Sequence, residues 1–324
     1  MSRKTKIWLT IAAALVVAGL VLTAGAMASY NWDFHRLNTA SYETNAHRIS
    51  EEFRDLSIHT DTADLVFVPS TDGTCRVVCY EDAKQTHAVS VQNGTLTIRL
   101  VDDRAWFDKI GIVTETPIIK ISLPSGEHGK LFIKESTGDI AISKDFQFES
   151  MDITTSTGDV TNYSSASETI KISTSTGYIR TENISADMLD LSVSTGNVTV
   201  SGAVCEGDIY IKVSTGKAYL TDIACRNLTT SGNTGDLSLN RVIAAGAFHI
   251  ERTTGDVEFE RCNAAEIYIQ TDTGDVDGTL LSEKVFFITT DTGDVDVPRT
   301  MTGGRCEITT DTGDIEIDLL SDDK

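Results

Sequence analysis

Three pairs of aspartates toward the C-terminus have the spacing of a cation site. Asp272 with Asp275, Asp291 with Asp294, and Asp311 with Asp314 each flank a Thr-Gly, and the pairs recur 19 or 20 residues apart. Ca²⁺ is a hard cation that takes carboxylate oxygens, so stacked Asp-Thr-Gly-Asp corners form a candidate Ca²⁺ site. The competing reading is structural: an aspartate beside a glycine accepts hydrogen bonds from backbone N–H groups at its own turn. Carboxylates stacked one strand spacing apart repel by ~0.9 kcal/mol per neighbour in water, and salt screens part of that. The spacing also differs from the glycine-rich nonapeptide that binds Ca²⁺ in other β-rolls. No cofactor other than this Ca²⁺ is expected.

Other reactive residues are scattered. His35, His47, His59, His87, His128 and His249 show no acid in a repeated context and no nucleophile motif, so the chain reads as a non-enzyme. Six cysteines lack Cys-x-x-Cys spacing. Cys205 and Cys225 each lie nine residues after a repeat glycine. That offset places them on adjacent layers with Cα atoms ~5 Å apart, within reach of a disulfide or as a stacked pair of reduced thiols. Phe132, Tyr210, Tyr268 and Phe287 share one offset, six residues before a glycine, and form an outward row of possible contact residues.

What positions all of these is a repeat. A Thr-Gly recurs with its glycine at Gly138, Gly158, Gly177, Gly196, Gly216, Gly235, Gly255, Gly274, Gly293 and Gly313. Apolar residues recur seven and five residues before the glycine (Leu131 and Ile133, Ile170 and Ile172, Ile267 and Ile269) and two after it (Ile140, Ile179, Val276). Spacings of two are strand spacings. Each unit therefore reads as two short strands with Thr-Gly at the corner. One such unit cannot bury its apolar row, whereas a stack of them can. The prediction is an all-β solenoid of about ten 19–20-residue two-strand coils over 131–320. Thr-x-Thr pairs such as Thr155/Thr157 and Thr271/Thr273 share the parity of the apolar rows, so both members are expected to point inward.

Upstream, Ile7 to Ala28 is free of charge and long enough to cross ~30 Å of hydrocarbon. Arg3, Lys4 and Lys6 lie in the basic tail 1–6 and predict an inside N-terminus with the body outside. Tyr30, Trp32 and Phe34 resemble an interfacial aromatic belt. The segment 7–28 is read as a retained single-pass anchor in a bacterial cell membrane. The alternative is secretion after cleavage at Ala28, because Ala26-Met27-Ala28 has the form of a signal-peptidase site. Residues 29–52 read as a polar stalk, 53–130 as a small β cap module with a hairpin turn at Asn93-Gly94, and 321–324 as a polar tail. Asp318, Asp322, Asp323 and Lys324 are expected to charge the far end of the stack and discourage end-to-end growth. With 27 Lys+Arg against 48 Asp+Glu, the net charge of −21 repels phosphate backbones, so no nucleic-acid partner is expected.

The Ser-Thr-Gly-Asp-Val/Ile corners, the single N-terminal membrane segment and the β lead-in resemble a bacterial family of unknown function whose members are called putative adhesins. The resemblance covers about Phe53 to Leu320. It implies an envelope-associated β-solenoid without established catalytic residues; Tyr178, Asn197 and Lys217 depart from the aspartate row. The reading is a membrane-anchored, extracytoplasmic binding scaffold whose partner is an envelope or surface protein or glycan. The alternatives are a sensor or regulatory partner in envelope stress, and a carbohydrate-active β-helix enzyme.

Overall fold

The computed structural model describes residues 2–29, 31–32, 41–104 and 115–320. Tyr30, Phe34, His35 and the tail 321–324 lie outside the described residues. The 27-residue helix Arg3–Ser29 leaves Trp8, Leu15, Leu20 and Leu22 exposed and is long and apolar enough to cross a membrane.

The rest is a β-solenoid. One parallel ladder holds the strands that lead into each glycine, and a second holds the strands that leave it. In the first, Ile153 pairs with Ile172, Ile172 with Leu191 and Leu191 with Ile211. In the second, Val160 pairs with Ile179 and Ile179 with Val198. This register superimposes the apolar rows, and they are buried in every coil but one. A short third side closes the coils up to the middle of the stack and beyond: Phe146–Phe148 pairs with Gly126–Glu127 and Ser165–Ala166, and in Val198–Cys205, Ala218–Cys225, Leu237–Ala244 and Val257–Cys262 the second strand itself runs on around the bend.

Two corners make this path possible. At the first, Gly158 has φ +142°, and a Cβ there would lie 1.9 Å from the carbonyl oxygen of Gly138 in the coil beneath. Only glycine fits, both for the dihedral and for the close approach. The corner beneath Gly138 is Thr62-Ala63-Asp64, stacked on it through a bridge from Thr62 to Thr137, and here alanine replaces the glycine. The second corner falls six residues after the glycine, at Asn183, Gly202, Asp222, Arg241 and Arg261, all with φ between 53° and 66°. Asparagine, glycine and aspartate suit that left-handed geometry, whereas arginine is held there against its preference. Arg241 is clasped by Asp222 of the coil beneath, with Nε to Oδ1 at 2.5 Å and Nη2 to Oδ2 at 2.8 Å.

The two ends of the stack differ. Asp55–His59 and Asp64–Pro69 form a coil in register with the first repeat, with Leu56 on Leu131 and Leu65 on Ile140. Beyond them Thr95–Asp102 and Ile118–Leu123 continue the two ladders. Antiparallel strands Gln85–Gln92 and Cys75–Asp82 follow. Tyr42–Ile49, assigned to a polar stalk from the sequence, pairs antiparallel with Cys75–Asp82 along its whole length.

At the other end the order of the coils departs from the order of the chain. Glu266–Thr273 pairs with Gly304–Thr312, skipping Lys284–Thr292, which lies on the far side of Gly304–Thr312. The second ladder agrees: Val276 pairs with Ile315, and Ile315 with Val295. The Gly313 coil therefore sits between the Gly274 and Gly293 coils. Asp318 lies on this interposed coil, so the expectation that it caps the end of the stack is corrected. The terminal layer is Lys284–Asp296, where Phe286 and Ile288 are half-buried and Val295 is 47% exposed, while Cys306 and Ile308 are fully covered.

Candidate functional site

The aspartates after the glycines act between coils. Asp139 Oδ1 accepts the N–H of Asp159 at 2.8 Å, and Asp159 Oδ1 that of Tyr178 at 2.8 Å. Asp256 Oδ1 accepts from Asp275 at 3.0 Å, Asp275 from Asp314 at 2.8 Å, and Asp314 from Asp294 at 2.7 Å. Each carboxylate thus serves the next coil rather than its own turn, which modifies the structural reading of the row. Asn197 does the same for Lys217 at 2.8 Å, so it continues the ladder, whereas Tyr178 and Lys217 carry no acceptor at that position. Lys217 instead places Nζ 2.7 Å from Asp236 Oδ2 and, with burial opposing, holds that carboxyl below its ordinary range. Asp275 and Asp314, two of the Ca²⁺ candidates, therefore each commit an oxygen to backbone. Asp272, Asp291 and Asp311 are exposed two residues before their glycines. These six aspartates form no cluster of three donor atoms within 4.8 Å.

The threonines divide by position. Three residues before the glycine, Thr155, Thr174, Thr271 and Thr310 are buried as expected. The threonine next to the glycine is exposed in all ten coils, contrary to the parity argument. Alternation breaks because pairing passes from Thr155–Thr174 to Thr157–Thr176 and skips the residue between, as the chain enters the corner. Cys205 and Cys225 follow the paired residues Val204 and Ala224 and stack as the spacing implied, but all six cysteines are buried and free. In place of the possible disulfide is a pair of thiols, with Cys225 pushed up to about 12 by burial and the neighbouring Cys205.

Sequence reasoning missed a buried polar clasp. His87 Nδ1 lies 2.7 Å from Glu81 Oε2, its Nε2 lies 2.9 Å from Thr60 Oγ1, and Asn45 donates to Glu81 Oε1 at 2.8 Å. Cys79 completes the one group of three possible metal donors among the described residues. The interval from Glu81 to His87 spans a tight turn, so the pairing is visible only once the strands are placed. Every side-chain polar atom of Glu81 and His87 has a protein partner, which makes the clasp a fastening between the cap strands and the coil of Asp55–His59 and Asp64–Pro69.

The surface with binding geometry is the outer face of the first ladder. His249 and Tyr268 occupy the same offset on adjacent coils and stack with ring centroids 5.0 Å apart and planes 3° from parallel. Tyr268 Oη donates to Glu266 Oε2 at 2.8 Å, a bond that raises its pKa. Glu251, Gln270, Glu307 and Thr309 surround the pair and line a groove of about 250 Å³. The interposed coil puts Glu307 between Tyr268 and Phe287, and Arg305 lies 4.2 Å over the Phe287 ring. Of the aromatics picked from the sequence, Tyr268 and Phe287 belong to this face, while Tyr210 and Phe132 lie on lower coils. His249 was overlooked although it has the same offset. A flat aromatic platform ringed by carboxylates, an amide and a hydroxyl offers stacking to an apolar ring face and hydrogen bonds to its polar edge.

Comparison with known proteins supplies a family. The family model described as Toastrack DUF4097 matches residues 53–209 and 204–324. Among curated proteins nothing matches. Similar solved structures include a "putative lipid binding protein" from Parabacteroides distasonis, 15% identical, with 87% of this chain and 98% of that one covered and a TM-score of 0.45. A "putative adhesin" from Parabacteroides merdae is 12% identical, with coverage of 74% and 97% and a TM-score of 0.46. Another "putative adhesin", from Bacteroides fragilis, is 15% identical, with coverage of 86% and 97% and a TM-score of 0.37.

Proposed function

The chain belongs to the Toastrack DUF4097 family, and on that premise we propose that it is a membrane-anchored, extracytoplasmic binding scaffold whose contact face is the His249–Tyr268 groove. The observation that carries this reading is the stacked ring pair set among Glu251, Gln270 and Glu307 on a hydrogen-bonded sheet. Rings already stacked on rigid strands lose little conformational freedom on binding, which favours affinity. The class of ligand that suits the groove is a surface glycan, with sugar C–H faces on the rings and hydroxyls on the acids and amide. Arg3–Ser29 would hold the body to the membrane, with the basic residues before the apolar run inside.

The test is retention of the full-length, detergent-solubilised protein on intact cells and on purified envelope glycan. Tyr268→Ala together with His249→Ala should lower retention about tenfold, the scale of losing an aromatic anchor. Unchanged retention would overturn the assignment of the groove. Glu251 and Glu307 come from different repeat offsets, so the same incubation is assayed for released reducing sugar, and its appearance would replace the scaffold reading with a hydrolase.

A further inference from the structure

Arg252 occupies the inward position three residues before its glycine, where Thr155, Thr174, Thr271 and Thr310 stand in other coils. It is 3% exposed, and Nε, Nη1 and Nη2 all lack a hydrogen-bond partner. The coil beneath is shaped for it. Gly232 pairs in register with Arg252, and a Cβ at Gly232 would fall 1.9 Å from Arg252 Nη1. The small residues Thr230-Ser231-Gly232-Asn233, which break the repeat in the sequence, are therefore the recess that admits the guanidinium. Thr271, in register on the coil above, and Thr230, two residues from Gly232, each bury an unpartnered hydroxyl. Of the nine buried side-chain polar atoms without a partner among the described residues, these three residues hold five. A buried guanidinium without any acceptor is costly, and a recess made of polar donors is not left dry. Water would satisfy the hydrogen bonds, but the carboxylate whose charge reaches the guanidinium, Asp236, is already paired with Lys217.

We infer that the recess formed by Arg252, Gly232, Thr230 and Thr271 binds a small inorganic anion of halide size, held by the guanidinium and the two threonine hydroxyls. The occupant is compact because the recess is bounded by backbone, with Val213 O 2.4 Å from the place of a Gly232 Cβ. It is reached from the groove of about 290 Å³ that Gly232 and Arg252 line with Ser231, Asn233 and Thr253. Glu251 and Asp272 on the rim of that groove make the approach unfavourable for larger polyanions.

Bromide is the probe. Crystals of the full-length protein soaked in sodium bromide should show an anomalous peak within hydrogen-bonding reach of the Arg252 guanidinium. In solution, exchanging gluconate for bromide at constant ionic strength should raise Tm by about 5 °C at a hundredfold excess over Kd. Arg252→Thr, which puts there the residue of the coil above, should abolish both signals. Water alone at the guanidinium would overturn the inference, as would bromide found only elsewhere, an adventitious ion only. The same Tm rise in wild type and variant would overturn it too.

Discussion

After each glycine, one side-chain oxygen takes over a task that backbone carbonyls perform elsewhere: it receives the N–H of the next layer. The chemistry requires an acceptor at that position and no charge, since Asn197 already holds Lys217 N at 2.8 Å. Asp159→Asn should therefore leave Tm within about 1 °C of wild type. Asp159→Ala, which strips the acceptor from Tyr178 N, should cost about 1 kcal/mol, the scale of one lost hydrogen bond. Equal effects of the two substitutions in thermal melts would refute the ladder. Glu135 belongs to the same scale. It is buried beside the first corner, and burial, with Asp64 and Asp139 adding to it, pushes its carboxyl up to about 8 from 4.5. Between those values the folded protein keeps a proton that the unfolded chain releases, so this group's stabilising contribution is full below about 4.5 and declines as pH rises toward 8. The slope is ~1.4 kcal/mol per pH unit. Glu135→Gln should flatten that decline, as read from Tm at pH 5 and pH 8.5. A decline of equal size in the variant would assign it to other groups.

At the scale of elements, periodicity revealed the coil but concealed where each coil goes. The rows at Leu131, Ile133 and Ile140 and the fixed glycine interval dictate two strands and a corner, because no other local geometry buries residues at those offsets. The same regularity makes the last coils interchangeable. Ile288-Thr289-Thr290-Asp291-Thr292-Gly293-Asp294 and Ile308-Thr309-Thr310-Asp311-Thr312-Gly313-Asp314 are the same heptapeptide, so nothing local chooses which of them lies on Glu266–Thr273. The second corner was hidden for the opposite reason: Arg241 and Arg261 do not signal a left-handed backbone, which there is imposed by the stacked path and the Asp222 clasp. Exchange of the coils has a direct check. Gln270 pairs with Thr309, and Thr309 with Thr289. Cysteines at 270 and 309 should join under oxidation, since paired strands bring Cα atoms within the disulfide range. Cysteines at 270 and 289, two strand spacings or ~9.6 Å apart, should not. Crosslinking of the second pair would restore the order of the sequence.

For the whole molecule, the groove legible in part from Tyr268 and Phe287 is completed by the exchange, which sets Glu307 into the row between Tyr268 and Phe287 and brings Arg305 over the Phe287 ring. The chain's net charge of −21 favours partners that are neutral or basic over phosphate-rich ones. The body is finished at one end by antiparallel strands and left open at the other, where Lys284–Thr292 has a neighbour on one side only among the described residues. Acidic Asp291, Asp294 and Asp296 border that edge, the sort of charge that deters further strand pairing.

The interposed coil also has a meaning for biosynthesis. Lower courses can be laid as the polypeptide leaves the ribosome, but residues 284–296 are made before residues 304–319, which must lie beneath them. The wall is thus completed by a keystone delivered late, and a product cut short after residue 303 lacks that stone while retaining the course meant to rest on it.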